Sequence, residues 1–365
     1  MNSPNFFRFA SSELSQDAFI CWLLEWANPK PDYIEADNEL HKVAQAFVRL
    51  LLLPDKSTAN LHISSIECIS QKNNIDILAL IKDEVYNKQY ALIIEDKIDT
   101  TIHDNQLVRY SEDIKKRYKN WEHHCVYFKT GNESKHSLGK IEKDYNQWSK
   151  DNNFYFKIVL REKVLEVLGS CKTTNLIFTD FIGNLNRIQR LTETYKNQEK
   201  VVGMWGNTAW QGFFMKLEEI LKKGEWDNNH HQAGKNKKGT VLSGWEFKLP
   251  RLSVPGDKSV QIYFNLCLNN LSLKAYCNST SYPQGIDNVS EINSKLSEYD
   301  LKLEACGGKK AKRKKAKNMI LASIKKKVNG KSFISKNKPI DFKYVAKKLK
   351  QLQEFLPDLA EYIKF

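Results

Sequence analysis

The sequence predicts an α/β protein: a central mixed β-sheet flanked by helices, followed by a C-terminal α+β region. Two observations carry this. The apolar pattern changes in the order helix, helix, three strand-like runs, helix, strand. One strand-like run, 75–81, is apolar almost throughout, and another, 90–98, begins apolar and ends charged, as expected of neighbouring strands covered on both faces that carry charge at one edge. A third observation sets the organisation. Near residue 201 the chain becomes rich in Trp, Gly and Lys, which predicts a first domain over 1–200 and a second over 201–365.

Residues 12–27 read as an amphipathic helix. Ser12 can cap it, and Phe19, Trp22, Leu23 and Trp26 form its apolar stripe. Residues 35–53 read as a second helix ended by Pro54. Residues 61–70 alternate like a strand. The short polar link 83–89 makes a hairpin of 75–81 and 90–98. Helical spacing returns over 103–119, and 125–129 and 154–159 read as strands. The second of these leads into a helix through 168, and 174–196 reads as a long helix. Beyond 201 come a helix to about 222, strands at 245–249, 260–268 and 271–276, and a helix over 289–304.

Net charge is +14, but it is not spread evenly. Residues 301–350 hold eighteen Lys and Arg against Glu304 and Asp341, and residues 1–300 balance to zero. Lys309, Lys310, Lys312, Arg313, Lys314, Lys315 and Lys317 form its densest run. Met319, Ile320, Ile324 and Val328 add an apolar stripe that predicts an ordered basic helix. Such a segment suits a polyanion, most simply nucleic acid. The seven cysteines include no CxxC pair, so neither a disulfide framework nor a structural zinc site is expected. No HExxH, GxxxxGK[ST] or GxGxxG occurs, which excludes the common zinc-hydrolase and nucleotide-binding classes. The start lacks a signal-peptide pattern and no apolar run suits a membrane span, so a cytoplasmic protein without membrane partners is expected.

The chemistry lies in the two apolar strands. One carries Asp76; the other ends in Glu95, Asp96 and Lys97. Charge placed in a covered strand costs several kcal/mol, roughly, unless it is paired or bound to metal. Side chains alternate, so Glu95 and Lys97 share a face and Asp96 points the other way. With Asp76 on the neighbouring strand, three charged groups converge at one sheet edge. Two carboxylates and a main-chain carbonyl suit Mg²⁺, and a lysine beside them can orient water or offset charge on a phosphate.

These residues resemble the PD-(D/E)XK nuclease superfamily: Asp76, eighteen intervening residues, then Glu95-Asp96-Lys97 in the ExK form. Ile75 stands where the family usually has proline. Glu67, the IDI of 75–77, IIExK and the QLVRY of 106–110 are similar to a bacterial subgroup with an IDI, IIExK, QLxxY pattern. The resemblance covers residues 10–130. It implies a restriction-endonuclease-like core and hydrolysis of phosphodiester bonds, in DNA rather than RNA, with Mg²⁺ as cofactor and Mn²⁺ able to replace it. Asp76, Glu95, Glu13 and the carbonyl of Asp96 would be metal ligands. Lys97 would be the catalytic lysine, and Gln106 would support the site or touch a phosphate. Tyr110 and the lysine run would contact nucleic acid. Bacterial antiviral defence is the implied context, and a homodimer is compatible with it.

Each residue also has a plainer use. Asp76 follows Asn73 and Asn74 and could shape a turn, Glu95 and Lys97 could form an edge ion pair, and Glu13 could serve the helix dipole. Gln106 could be solvated, Tyr110 could be core, and the lysine run could be a solvated tail. A non-catalytic nucleic-acid binder on a degenerate nuclease fold is the rival function. The complete Asp, Glu, Lys set weighs against it, because a binder gains nothing from buried acids facing phosphate.

Overall fold

The computed structural model describes residues 4–54, 60–72, 75–100, 102, 106–221, 229–235, 241–248, 252–254, 258–267, 270–277, 308–310, 318–324, 327–328, 331–332, 334–335, 337–347 and 349–350; between 222 and 333 it describes backbone alone. The chain divides into two compact units, Met1–Glu133 with Leu138–Arg190, and Ser134–Ser137 with Leu191–Phe365.

The first unit opens with α1 (Glu13–Trp26), α2 (Pro31–Ala36) and α3 (Asn38–Leu52). Ser12 caps α1 by accepting the Ser15 N–H, and Asp37 caps α3 by accepting the Leu40 N–H at 3.0 Å. The sequence pattern predicts one helix over 35–53. Asp37 interrupts it instead, with extended backbone that frees its carboxylate to cap α3 and to accept from the Thr173 hydroxyl. Next come β1 (Ser65–Lys72), β2 (Ile75–Asp83) and β3 (Lys88–Lys97), then α4 (Gln106–Arg117), β4 (Glu122–Lys129), α5 (Lys135–Asn152), β5 (Tyr155–Leu160), α6 (Arg161–Leu168) and α7 (Leu176–Thr192).

The five strands form one mixed sheet in chain order. β1, β2 and β3 pair antiparallel, and β3, β4 and β5 pair parallel. Both faces are covered, as the apolar strands require. Ile77, Ala79, Ile81, Leu92, Ile94, Val126 and Phe128 face a core built with α1, α3, α6 and α7. Leu78, Leu80, Ala91, Ile93, Cys125 and Tyr127 face a second core with Leu107, Tyr110 and Ile114 of α4 and Ile141 and Tyr145 of α5. Asn28, just past α1, holds both main-chain groups of Ile66, accepting its N–H at 2.7 Å and donating to its carbonyl at 3.2 Å. This docks the end of α1 onto β1. Cys21, Cys68, Cys125 and Cys171 are free thiols.

The second unit holds α8 (Asn207–Ile220), whose Trp210, Phe213 and Phe214 are buried with Trp205. Phe342 packs edge-on to Phe213 at 5.6 Å. Seven of its strands are β6 (Asn229–Lys235), β7 (Val241–Lys248), β8 (Leu252–Val254), β9 (Lys258–Cys267), β10 (Asn270–Cys277), β11 (Gly308–Lys310) and β12 (Asn318–Ile324). They form an antiparallel sheet in the order β11-β12-β10-β9-β7-β6, with β8 beside β9. The basic helix expected through this region is corrected here. Met319, Ile320 and Ile324 lie in β12, because an apolar run this short takes whichever period its neighbour offers, and β10 offers strand pairing. Lys309 and Lys310 lie in β11. Lys312, Arg313, Lys314, Lys315, Lys317 and the helix expected over 289–304 lie outside the described residues.

Candidate active site

Antiparallel pairing brings the start of β2 against the end of β3. One residue beyond the Ile77–Ile94 pair stand Asp76 and Glu95. Asp76 Oδ2 accepts the Asp96 N–H at 3.1 Å, which locks the two strand ends together. Glu95 and Lys97 continue the face of Ala91 and Ile93, and Asp96 continues the opposite face of Leu92 and Ile94.

Four oxygen acceptors converge on the Lys97 ammonium. Glu95 Oε1 lies 2.6 Å from Nζ, the Asp96 carbonyl 2.9 Å, Asp76 Oδ2 3.5 Å and Glu13 Oε2 3.7 Å. Glu95 is wholly buried, whereas the Glu13 and Asp76 side chains keep partial access to solvent. Burial, opposed by Lys97 and reinforced by the charges of Asp76 and Glu13, pushes the Glu95 carboxyl up to about 7. Burial alone would lower Lys97, but Glu95, then Asp76 and Glu13, outweigh it and raise its pKa above the ordinary lysine value. The centre therefore keeps a charged lysine beside a carboxyl that gives up its proton reluctantly.

These donors fit a divalent cation. All are oxygens, they include carboxylates and a main-chain carbonyl, and they already surround one positive charge. Glu95 Oε1 touches Lys97, yet neither Glu95 oxygen accepts a well-aligned hydrogen bond, so acceptor capacity is left over in a buried place. Among the described residues no three acidic, His or Cys side chains stand as a finished metal cage; they gather around the lysine instead.

A polar layer behind the centre holds it in place. Ile98 N–H and the Thr100 hydroxyl both donate to Glu13 Oε1, at 3.1 and 2.7 Å, which leaves Oε2 toward Lys97. Buried Lys129 donates to the Thr100 carbonyl and lies 3.5 Å from Glu133. Thr130 N–H donates to the Lys97 carbonyl at 3.2 Å. Gly131 packs so closely that a Cβ there would stand 1.8 Å from the Ile98 carbonyl oxygen. On the other face Gln16 donates to Asp96 Oδ1 and accepts from the Thr130 hydroxyl at 2.7 Å. Burial, and then the neighbouring charge of Asp17, raises the Asp96 carboxyl well above its ordinary value. Arg161, fully buried, donates to the Thr130 carbonyl at 2.7 Å, to Asn132 and to Gln189.

Glu13, Asp76, Glu95, Asp96 and Lys97 thus meet at one point. Gln106 is the half-buried first residue of α4, and Tyr110, one turn on, is buried with Leu107 and Ile114. Sequence reasoning missed Gln16, Thr100, Lys129, Thr130, Gly131 and Arg161. Only Gln16 left a trace: it precedes Phe19 by three residues and so continues the inward stripe of α1.

A family model described as the PD-(D/E)XK nuclease superfamily matches residues 4–197, more than half of the chain. The chain belongs to that superfamily. The five-stranded mixed sheet flanked by helices is the restriction-endonuclease-like α/β fold, and the matched span includes every residue of the cluster. Comparison with curated proteins and with solved structures found no match. Among the described residues, no helix is long and apolar enough to cross a membrane.

Proposed function

We propose that this PD-(D/E)XK nuclease hydrolyses phosphodiester bonds of DNA, in preference to RNA, with Mg²⁺ as its cofactor and Mn²⁺ as a substitute. The observation that carries the reading is the convergence of Glu13, Asp76, Glu95 and the Asp96 carbonyl within 3.7 Å of the Lys97 ammonium. Those oxygens would hold the ion. When bound, it supplies Lewis-acid polarisation of a phosphate oxygen and a lower pKa for the attacking water. Lys97, kept cationic by its neighbours, donates to the scissile phosphate and offsets charge that builds in the transition state. Glu13 is aimed by the Ile98 N–H and the Thr100 hydroxyl, and Asp76 is held by the Asp96 N–H. Gln106 would touch a phosphate from the start of α4.

The IDI, IIExK and QLxxY resemblance supports a bacterial protein acting in defence against phage, and a cytoplasmic homodimer is compatible with that role. The test is direct. Glu95→Ala and Lys97→Ala should each keep the circular dichroism of the wild type and its oligonucleotide binding in EDTA. Each should lose Mg²⁺-dependent nicking of plasmid by roughly 100-fold or more. Full cleavage by both variants overturns the assignment, and faster cleavage of RNA than DNA overturns the substrate.

A further inference from the structure

The N-terminal segment crosses α7 before α1 begins. Asn5 Nδ2 donates to the Asp180 carbonyl at 2.6 Å, and Phe6 N–H donates to Asp180 Oδ2 at 2.7 Å. Phe7 is buried edge-on to Phe19 at 5.7 Å and to Phe181 at 5.3 Å. Asp180, Asn184 and Arg187 follow at helical spacing, so they share one face of α7, and Arg190 lies a further turn on. Arg187 donates to Asn184 Oδ1 from Nη2 at 2.9 Å and from Nε at 3.3 Å. Arg8, carried by the crossing segment, is exposed, as is Arg190. The hydrogen bonds of Asn5 and Phe6 to Asp180 lay the segment that carries Arg8 along α7, and burial, and then the like charges of Arg8 and Arg190, hold the Arg187 guanidinium below its ordinary value. Residues 1–300 carry no net charge, which makes this grouping a local feature.

Two large rings flank Arg8 and point outward: Phe6 is 64 % exposed and Phe9 79 %. Phe7, between them, is buried, so the rings are not simply part of a loose end. The segment that carries the rings runs directly into the helix that supplies Glu13. Ser12 caps α1 three residues after Phe9, and Glu13 is the next residue.

Exposed guanidinium groups attract phosphate, and exposed phenyl rings forgo burial. A single strand of nucleic acid suits both, with phosphates for the cations and flat bases for the rings. A duplex satisfies only the cations, because its bases stack on one another. We propose that the face formed by Phe6, Arg8, Phe9, Arg187 and Arg190 binds a single-stranded stretch of nucleic acid and leads it to Glu13, Asp76, Glu95 and Lys97. The inference rests on the nuclease reading for its purpose, but its test does not need cleavage.

The full-length protein is titrated in EDTA with a fluorescent single-stranded oligodeoxynucleotide and with the matching duplex, at several salt concentrations. The Arg8→Ala, Arg190→Ala double variant should bind the single strand about 5-fold or more weakly, with a log–log salt slope flatter by about 1.4. Phe9→Ala should weaken single-strand binding by about 5-fold while leaving the slope and the duplex affinity unchanged. Photocrosslinking of a bromodeoxyuridine oligonucleotide should label the peptide that contains residues 6–9. Wild-type affinity in both variants, no single-strand binding by the wild type, or crosslinks confined to residues beyond 300 each overturn the proposal. Loss of binding in the variants of a protein that shows no metal-dependent cleavage would keep the strand site and discard the nuclease reading. Normal cleavage with unchanged binding would do the reverse.

Discussion

Glu95 is where stability and chemistry oppose each other. Its carboxyl is buried at a strand end, with Asp76 and Glu13 as like-charged neighbours, and Lys97 offsets this only in part. The folded-state value of about 7 lies above the ordinary 4.5, so the group's contribution to stability is fully present below pH 4.5 and is lost as pH rises through 7. Without divalent metal at pH 8, the charged form weakens the fold by on the order of 1–3 kcal/mol. Glu95→Gln keeps the shape and removes the charge. In EDTA at pH 8 it should raise the urea midpoint, and the gain should vanish near pH 4.5. The same variant should lose cleavage, and Mg²⁺, which should stabilise the wild type by binding the folded state, should leave it unmoved. A lower midpoint than wild type at pH 8 would show that the Lys97 pair outweighs burial. Asp76, Glu95 and Lys97 were legible in the sequence because charge in an apolar strand demands an explanation. Gln16, Thr130 and Arg161 were not. A polar residue on a helix or after a strand looks solvated until the fold buries it.

At the scale of elements, the covered strands read clearly and the connections did not. β2 and β3 follow from runs of apolar residues joined by a short polar turn, and the face assignment of Glu95, Asp96 and Lys97 followed from alternation alone. The helix α5 went unpredicted because its sequence is mostly polar and includes Gly139. Its apolar residues, Leu138, Ile141, Tyr145 and Trp148, do recur at helical spacing, but as a stripe one residue wide. β12 differs from the expected helix for the opposite reason: Met319, Ile320 and Ile324 suit a helical stripe as well as a strand, and the pairing with β10 decides between the two. The link after β4 matters most for the site. Thr130 and Gly131 lie against Lys97 and Ile98, and the same stretch from Lys97 to Thr100 holds Glu13. Gly131→Ala puts a Cβ 1.8 Å from the Ile98 carbonyl oxygen and 2.7 Å from its carbon, both main-chain atoms that no side-chain rotation can clear. The stretch must shift, and Glu13 and Lys97 with it. A displacement of this order should cost about 100-fold in kcat/KM, measured on an oligonucleotide substrate, with the secondary structure retained. Unchanged kcat/KM would mean that the centre tolerates movement of this stretch.

Over the whole molecule, charge and chemistry are segregated along the chain. The residues of the cluster all precede residue 98, within a stretch of the chain whose charges cancel, whereas 301–350 carries a large basic excess. A neutral cutting unit gains little from long-range attraction to a polyanion, so the lysine run should supply most of the salt-sensitive affinity and none of the bond-breaking. Replacing Lys309, Lys310, Lys312, Arg313, Lys314, Lys315 and Lys317 together by Gln removes seven cations. If all contact a duplex, the slope of log affinity against log salt should flatten by about 6. Contacts to phosphate position nucleic acid without reading or cutting it, so KM should rise while kcat at saturating DNA stays near wild type. Glu95→Gln should show the inverse pattern, with the wild-type salt slope and no turnover. A fall in kcat in the lysine variant at saturating DNA would contradict the segregation, because it would place those lysines in the transition state rather than in substrate capture.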